Sequence, residues 1–172
     1  HSSAASDVYK RQAWNVQPMG EGLNYFQLIM DHYRTFRRLG LNVDFVHKNT
    51  EDFSGYKLIS VVGAIHISSD LISRIANSMA TLVFGPRTGA RVGNMQIPKN
   101  LPPQINLVKS RILRVETLPS NVSLEIDPLG RAGRYIEIIK LDNNASPYLK
   151  LKNGQVIACL LYTSDAADEW IG

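Results

Sequence analysis

Cysteine is almost missing from this chain: Cys159 is the only one in 172 residues. A lone thiol closes no intramolecular disulfide and builds no cysteine metal cluster, which fits a reducing compartment and an expected cytoplasmic location. Histidine is also scarce. His1, His32, His47 and His66 are not in His-x-x-x-His or His-Glu-x-x-His spacing, so no metal cofactor is expected. Long apolar runs are absent as well, and nothing approaches the roughly 20 residues that span a bilayer, which excludes a membrane protein. Charge of one sign is never concentrated: 19 basic and 15 acidic residues give +4, scattered along the chain. Arg34, Arg37 and Arg38 come nearest to a cluster, but helical spacing puts them opposite an apolar stripe, as a solvated helix face. A nucleic-acid partner, which needs a gathered basic footprint, is therefore not expected.

What is present describes one soluble domain with a core, since a chain of this size buries about two-thirds of its unfolded surface. From Asn24 to Leu39, Tyr25, Leu28, Ile29, Tyr33, Phe36 and Leu39 recur at three and four positions, predicting an amphipathic helix. Asn24 caps it, Gln27 is placed to reach back as in a capping box, and Gly40 supplies a left-handed stop. Leu41, Val43 and Phe45 then alternate with Asn42 and Asp44, predicting a strand. Lys57 to Val62 and Thr81 to Phe84 are short apolar runs suited to a parallel sheet buried on both faces. Between them, Ser68 or Ser69 caps a second helix through Asn77, with Leu71, Ile72 and Ile75 inward. This alternation predicts an open α/β sheet with right-handed crossovers. After Gly89 the character changes: Pro98, Pro102 and Pro103 punctuate an extended segment. Strands alone follow, at Ile112 to Glu116, Tyr135 to Leu141, and a hairpin from Tyr148 to Ala158 turning at Asn153-Gly154. There is no internal repeat.

In such a sheet ligands sit beyond the carboxyl ends of the strands, at Gly63 to Ser68, Gly85 to Arg91 and the stretch before the first helix. Gly85-Pro86-Arg87-Thr88-Gly89-Ala90-Arg91 lacks a Gly-Lys-Ser/Thr ending, loses a donor at Pro86 and precedes no helix, so it does not read as a phosphate loop. Arg87 and Arg91 instead hold a loop or meet a partner subunit. The architecture suggests a glutamine amidotransferase, but the turn after Phe84 carries no cysteine, so that nucleophile is missing. His66 has no Ser or Cys partner, and Gly-x-Ser-x-Gly is absent, so it reads as a loop histidine without a role. Nothing places Glu21, Asp31 or Asp44 as the carboxylate pair of a glycosidase.

Trp14 to Tyr25 (WNVQPMGEGLNY), Tyr33-Arg34, Arg37 to Val46 (RRLGLNVDFV), Ser54 to Leu58 (SGYKL), Leu82 to Gly89 (LVFGPRTG), Gln96-Ile97-Pro98 and Asn100 to Pro103 occur in one order. Together they resemble the middle domain of family 42 glycoside hydrolases, the bacterial β-galactosidases. The resemblance covers nearly all of residues 13–158. It implies a flavodoxin-like, class I glutamine amidotransferase-like open parallel sheet with a small β appendage. It also implies a non-catalytic trimerisation domain, whose parent is a retaining glycoside hydrolase of bacterial carbohydrate metabolism. The implied partners are two further copies in the parent and a catalytic barrel; no cofactor is implied. Gln17, Glu21, Asn24, Arg87, Thr88 and Gln96 are the candidate interface or crevice residues. Residues 1–12 (HSSAASDVYKRQ) and 159–172 (CLLYTSDAADEWIG) depart from the family and are similar to conceptual translations of sequencing-adapter DNA, as in metagenomic reads. They are expected to be artefactual or disordered tails, leaving a truncated sheet that lacks a central strand. The alternative from another class is a free-standing flavodoxin-like small-molecule binding module. A flavin module, however, needs a hydroxyl-rich loop where Gln17 to Gly22 stands.

Overall fold

The computed structural model describes residues 24–161 except 95, 143 and 144. Helix α1 spans Tyr25–Arg38 and α2 spans Ser69–Ala76. The strands are β1 Leu58–Val61, β2 Thr81–Phe84, β3 Ser110–Thr117, β4 Ser123–Asp127, β5 Arg131–Gly133, β6 Tyr135–Leu141, β7 Ala145–Leu151 and β8 Val156–Leu161.

Helix α1 begins where expected, because the Asn24 side chain accepts from the backbone N–H groups of Phe26 and Gln27, two of the donors a helix start leaves unsatisfied. The capping box does not close: Gln27 Nε2 turns to Asp31 Oδ1 at 2.6 Å. At the other end Gly40 takes φ +79, the left-handed conformation that stops the helix. Helix α2 starts on Ser68, whose hydroxyl accepts from Leu71 N–H, and presents Ile75, 2% exposed, to a core made with Phe53, Ile59, Ile67 and Ile105. Leu71 and Ile72 pack against that core from the same helix face. Strands β1 and β2 run parallel in the register Leu58↔Thr81 to Val61↔Phe84.

The expected open parallel sheet of flavodoxin-like or glutamine amidotransferase-like type is not what these residues build. Among the described residues β1–β2 is the only parallel pairing, and the other six strands are antiparallel: β3 with β6, and β5-β4-β7-β8 in that order. The helix–strand alternation that suggested the sheet ends at Phe84. The segment after α1 contributes no strand: Leu41, Phe45 and Val46 are exposed, and the residues from 41 to 47 enter no ladder. Alternation gives a strand only where a neighbouring edge satisfies its backbone and one face has a core to cover. Nor are β1 and β2 buried on both faces; Ile59 is buried and its strand neighbours are only half-buried.

In the antiparallel part, β6 follows strict period two. Ile136 and Ile138 point into a second core with Leu151, flanked by Leu124, Ile126 and Ile157. Tyr135 and Glu137 occupy the opposite face. β3 carries a bulge between Ile112 and Arg114 that leaves Leu113 outside the register and half exposed. The hairpin β7–β8 turns at Asn153-Gly154 as expected, and β8 continues past Ala158, with Cys159 opposite Pro147. Strands β4 and β5 are additions to the expected set.

Candidate functional site

The loops leaving β1 and β2 lie side by side and are stitched together. Gly85 N–H donates to Val61 O at 2.8 Å, Gly63 N–H to Pro86 O at 3.1 Å, Gly89 N–H to Ala64 O at 2.9 Å and Arg91 N–H to Ile65 O at 2.9 Å. The Thr88 hydroxyl reaches back to Val61 O at 3.0 Å. This stitching draws Arg87 and Thr88 to 3% and 2% exposure. Arg87 accepts a left-handed φ of +64 and turns its own N–H to Glu137 Oε1 at 2.9 Å, where the Tyr135 hydroxyl also donates at 2.9 Å. The Arg87 guanidinium carbon lies 5.8 Å from the centre of the Tyr135 ring, within cation–π range.

Burial pushes the Glu137 carboxyl above its ordinary value, opposed by the Arg87 N–H, the Tyr135 hydroxyl and the Arg87 charge. Burial and then the Glu137 charge push the Tyr135 hydroxyl up as well, so it stays protonated and remains a donor. The cluster is a clasp between the loop after β2 and strand β6. It is not an anion cradle: Thr88 N–H bonds Gly85 O and Ala90 N–H bonds Arg87 O, so every backbone N–H from Gly85 to Arg91 is used within the chain. Pro86 has none.

The expected site residues are dispersed. Gln17 and Glu21 lie outside the described residues, as do the first twelve residues and those after Leu161. Asn24 is the exposed cap of α1 and lines a hollow of about 360 Å³ with Phe26, Gln27, Met30 and Arg134, which includes none of the others. Gln96 is exposed and held by Asn94, whose amide donates to Gln96 Oε1 at 3.0 Å and whose Oδ1 accepts from Gln96 N–H. Arg87 and Thr88 are together, but inside. Sequence reasoning missed Tyr135 and Glu137; the available signal was a carboxylate set in the middle of the apolar strand Tyr-Ile-Glu-Ile-Ile.

Two surface features complete the description. The apolar face of α1 is only partly covered. Tyr25 is buried, its ring 3.0 Å from where a side chain on Gly63 would begin, while Phe26 is 50% exposed and Met30 39%. Phe45, 66% exposed, stacks on Tyr33 with ring centres 5.7 Å apart, extending that apolar surface onto the segment after the helix. The other feature is a cleft of about 480 Å³ alongside α2, with His66 and Arg91 on its walls. Among the described residues no group of three acidic, histidine or cysteine side chains is arranged to hold a metal ion, and no helix is long and apolar enough to cross a membrane.

A family model described as the β-galactosidase trimerisation domain matches residues 6–158. A β-galactosidase from a Thermus species is 32% identical over 148 residues, covering 83% of this chain and 23% of that protein. A second, from Thermus thermophilus, is 34% identical over 127 residues, covering 72% and 19%. Among solved structures, the β-galactosidase of the psychrophilic Marinomonas ef1 superposes with a TM-score of 0.76 at 29% identity over 84% of this chain and 23% of that one. The chain thus spans about a quarter or less of the length of these relatives. With the match running from residue 6 to residue 158, the chain belongs to the β-galactosidase trimerisation domain family.

Proposed function

We propose that this chain assembles subunits of a β-galactosidase, with residues 13–158 as the assembling domain and three copies in the assembly. In this reading the hydrolysis of terminal β-galactosides, by a retaining mechanism in the bacterial cytoplasm, belongs to a catalytic barrel elsewhere in the parent protein. The observation that carries the reading is the family match over residues 6–158, in a chain that corresponds to only 23% and 19% of the two Thermus β-galactosidases. The partly covered face of α1 supports it, because exposed aromatic and methionine side chains of this kind are enriched at subunit contacts. Phe26, Met30 and Phe45 are the contact residues we assign, with Gln17, Glu21, Asn24 and Gln96 as polar contacts. Arg87 and Thr88 act from within, by holding the shape of the loop. Sedimentation velocity on the full chain tests this: a species of three 19.2 kDa copies is expected. Phe26→Asp with Met30→Asp should dissociate it while the circular dichroism spectrum is kept. The same samples should hydrolyse a chromogenic β-galactoside no faster than buffer. A monomer at every concentration up to the hundreds of micromolar, or hydrolysis that follows the purified chain, would overturn the proposal.

A further inference from the structure

The cleft beside α2 is built from three separate stretches, residues 66–77, 91–93 and 104–107. The first gives His66 from the loop after β1, Ser73 from α2 and Asn77 from its C-cap, the second Arg91 from the loop after β2, and the third Gln104 and Asn106 from the segment leading to β3. Its floor is apolar, formed by Ile67, Ile72 and Leu107. It runs along α2 from Ser69 to Asn77, and a volume of about 480 Å³ lies within the range of small-molecule sites.

The polar groups on its walls are uncommitted. Among the described residues the side chains of His66, Asn77, Arg91, Gln104 and Asn106 make no hydrogen bond and no ion pair. Arg74, the cation of α2, is by contrast fully engaged: it pairs with Asp70 at 3.0 Å and donates to the carbonyls of Lys48 and Thr50. Arg91 is therefore the fixed charge of the cleft, half-buried, and among the described residues no carboxylate lines the walls to neutralise it. A guanidinium in a fork geometry suits an anionic oxygen group, while amide side chains that both donate and accept suit hydroxyls. The apolar floor suits the carbon face of a ring.

The geometry points to a binding site for a small anion that carries hydroxyl groups, of about the size of a hexose phosphate. This inference is independent of the assembly role, since the cleft and the face of α1 share no residue. The N–H groups of Arg91 and Val92 are used within the chain, on Ile65 O and Gln96 O, so Arg91 acts through its guanidinium.

The test is a titration of the isotopically labelled full chain with glucose 6-phosphate, inorganic phosphate and glucose, followed by amide NMR. Saturable shifts at Arg91, Gly93 and Asn77 are expected with glucose 6-phosphate, with binding at least tenfold weaker for each of the other two. Arg91→Gln should weaken glucose 6-phosphate at least tenfold. Because the Arg91 guanidinium makes no hydrogen bond or ion pair among the described residues, the spectrum elsewhere should be unchanged. Ser73→Phe, on an exposed position of α2 facing the cleft, should block it sterically with Arg91 intact. Absence of saturable shifts, equal affinity for inorganic phosphate, or binding unaltered in both variants would overturn the assignment.

Discussion

Two glycines in left-handed conformations separate the cost of backbone strain from the cost of crowding. Gly40 has φ +79 with nothing within 4 Å of where a side chain would begin. Gly89 has φ +68, but there a Cβ would lie 2.9 Å from Ile105 Cγ1 and 3.1 Å from the backbone nitrogen of Gln104. Ile105 is buried at 2% exposure, and Gln104 N–H is bonded to Gly89 O at 2.9 Å, so neither neighbour gives way freely. Alanine at either position meets the left-handed penalty of about 1–2 kcal/mol. Each substitution also restricts the unfolded chain to a similar degree, which cancels when the two are compared. At Gly89 alone the overpacking of a filled core adds about 1–3 kcal/mol. Gly89→Ala is therefore expected to lose roughly 2–5 kcal/mol and Gly40→Ala only about 1–2. Urea unfolding followed by circular dichroism measures both, provided the slope against denaturant is unchanged. Equal losses would refute the reasoning, because they would mean that the loop after β2 does not press on Ile105.

Glu137 makes stability depend on pH in a definite sense. Its carboxyl is raised in the folded chain, so above the ordinary value near 4.5 the folded state holds more proton than the unfolded one. This contribution is complete below that value and is lost as pH rises through the raised one. Glu137→Gln, which still offers an oxygen to Arg87 N–H and the Tyr135 hydroxyl, should flatten that fall in urea midpoints measured from pH 4 upward; an unaltered profile would show that another group causes it. Asn24→Ala removes the acceptor for Phe26 and Gln27 N–H and should cost about 1 kcal/mol, with Asn24→Asp restoring most of it in the same melts.

The helices were legible in the sequence because their signals are local. Asn24 and Ser68 act on donors two or three residues away, and Gly40 acts on its own φ. Tyr135–Leu141 was legible for a related reason, since its alternation coincides with a real difference between its two faces. The stretch from Leu41 to Phe45 shows the limit of that signal. It alternates as well, but no ladder receives it, and its aromatic residue stacks on Tyr33 of α1 instead. Strands β4 and β5 were missed because five and three residues, interrupted by Pro128 and Gly130, carry too few alternations to stand out from a loop. The expected parallel sheet failed for a longer-range reason. Local periodicity names the strands, whereas pairing depends on which edges meet, and the one parallel pair is outweighed by the antiparallel pairings of β4–β5 and β7–β8 and by those of β3–β6 and β4–β7, whose partners lie further apart in sequence.

Little of the site was legible in the sequence. The reading of Gly85 to Arg91 as no phosphate loop rested on a proline and an absent lysine; in the fold each N–H of that loop has an acceptor within the chain. Arg87 was placed at a crevice because charged residues in loops are usually exposed. Its burial follows from Glu137, fifty residues further on, on a face of β6 that no local pattern connects to the loop. That connection explains why the antiparallel part is more than an appendage. β6 gives Ile136 and Ile138 to the core shared with Leu151, and gives Tyr135 and Glu137 to the loop that closes over β1. A single strand thus faces both parts of the chain. The buried carboxylate is tolerated because its acceptor oxygen meets two donors, one from each part, and removing either part would leave a polar group buried without its partner. The clasp therefore ties the loop that carries Arg91 to the β3–β6 sheet, in addition to its bonds with Val61, Ala64 and Ile65.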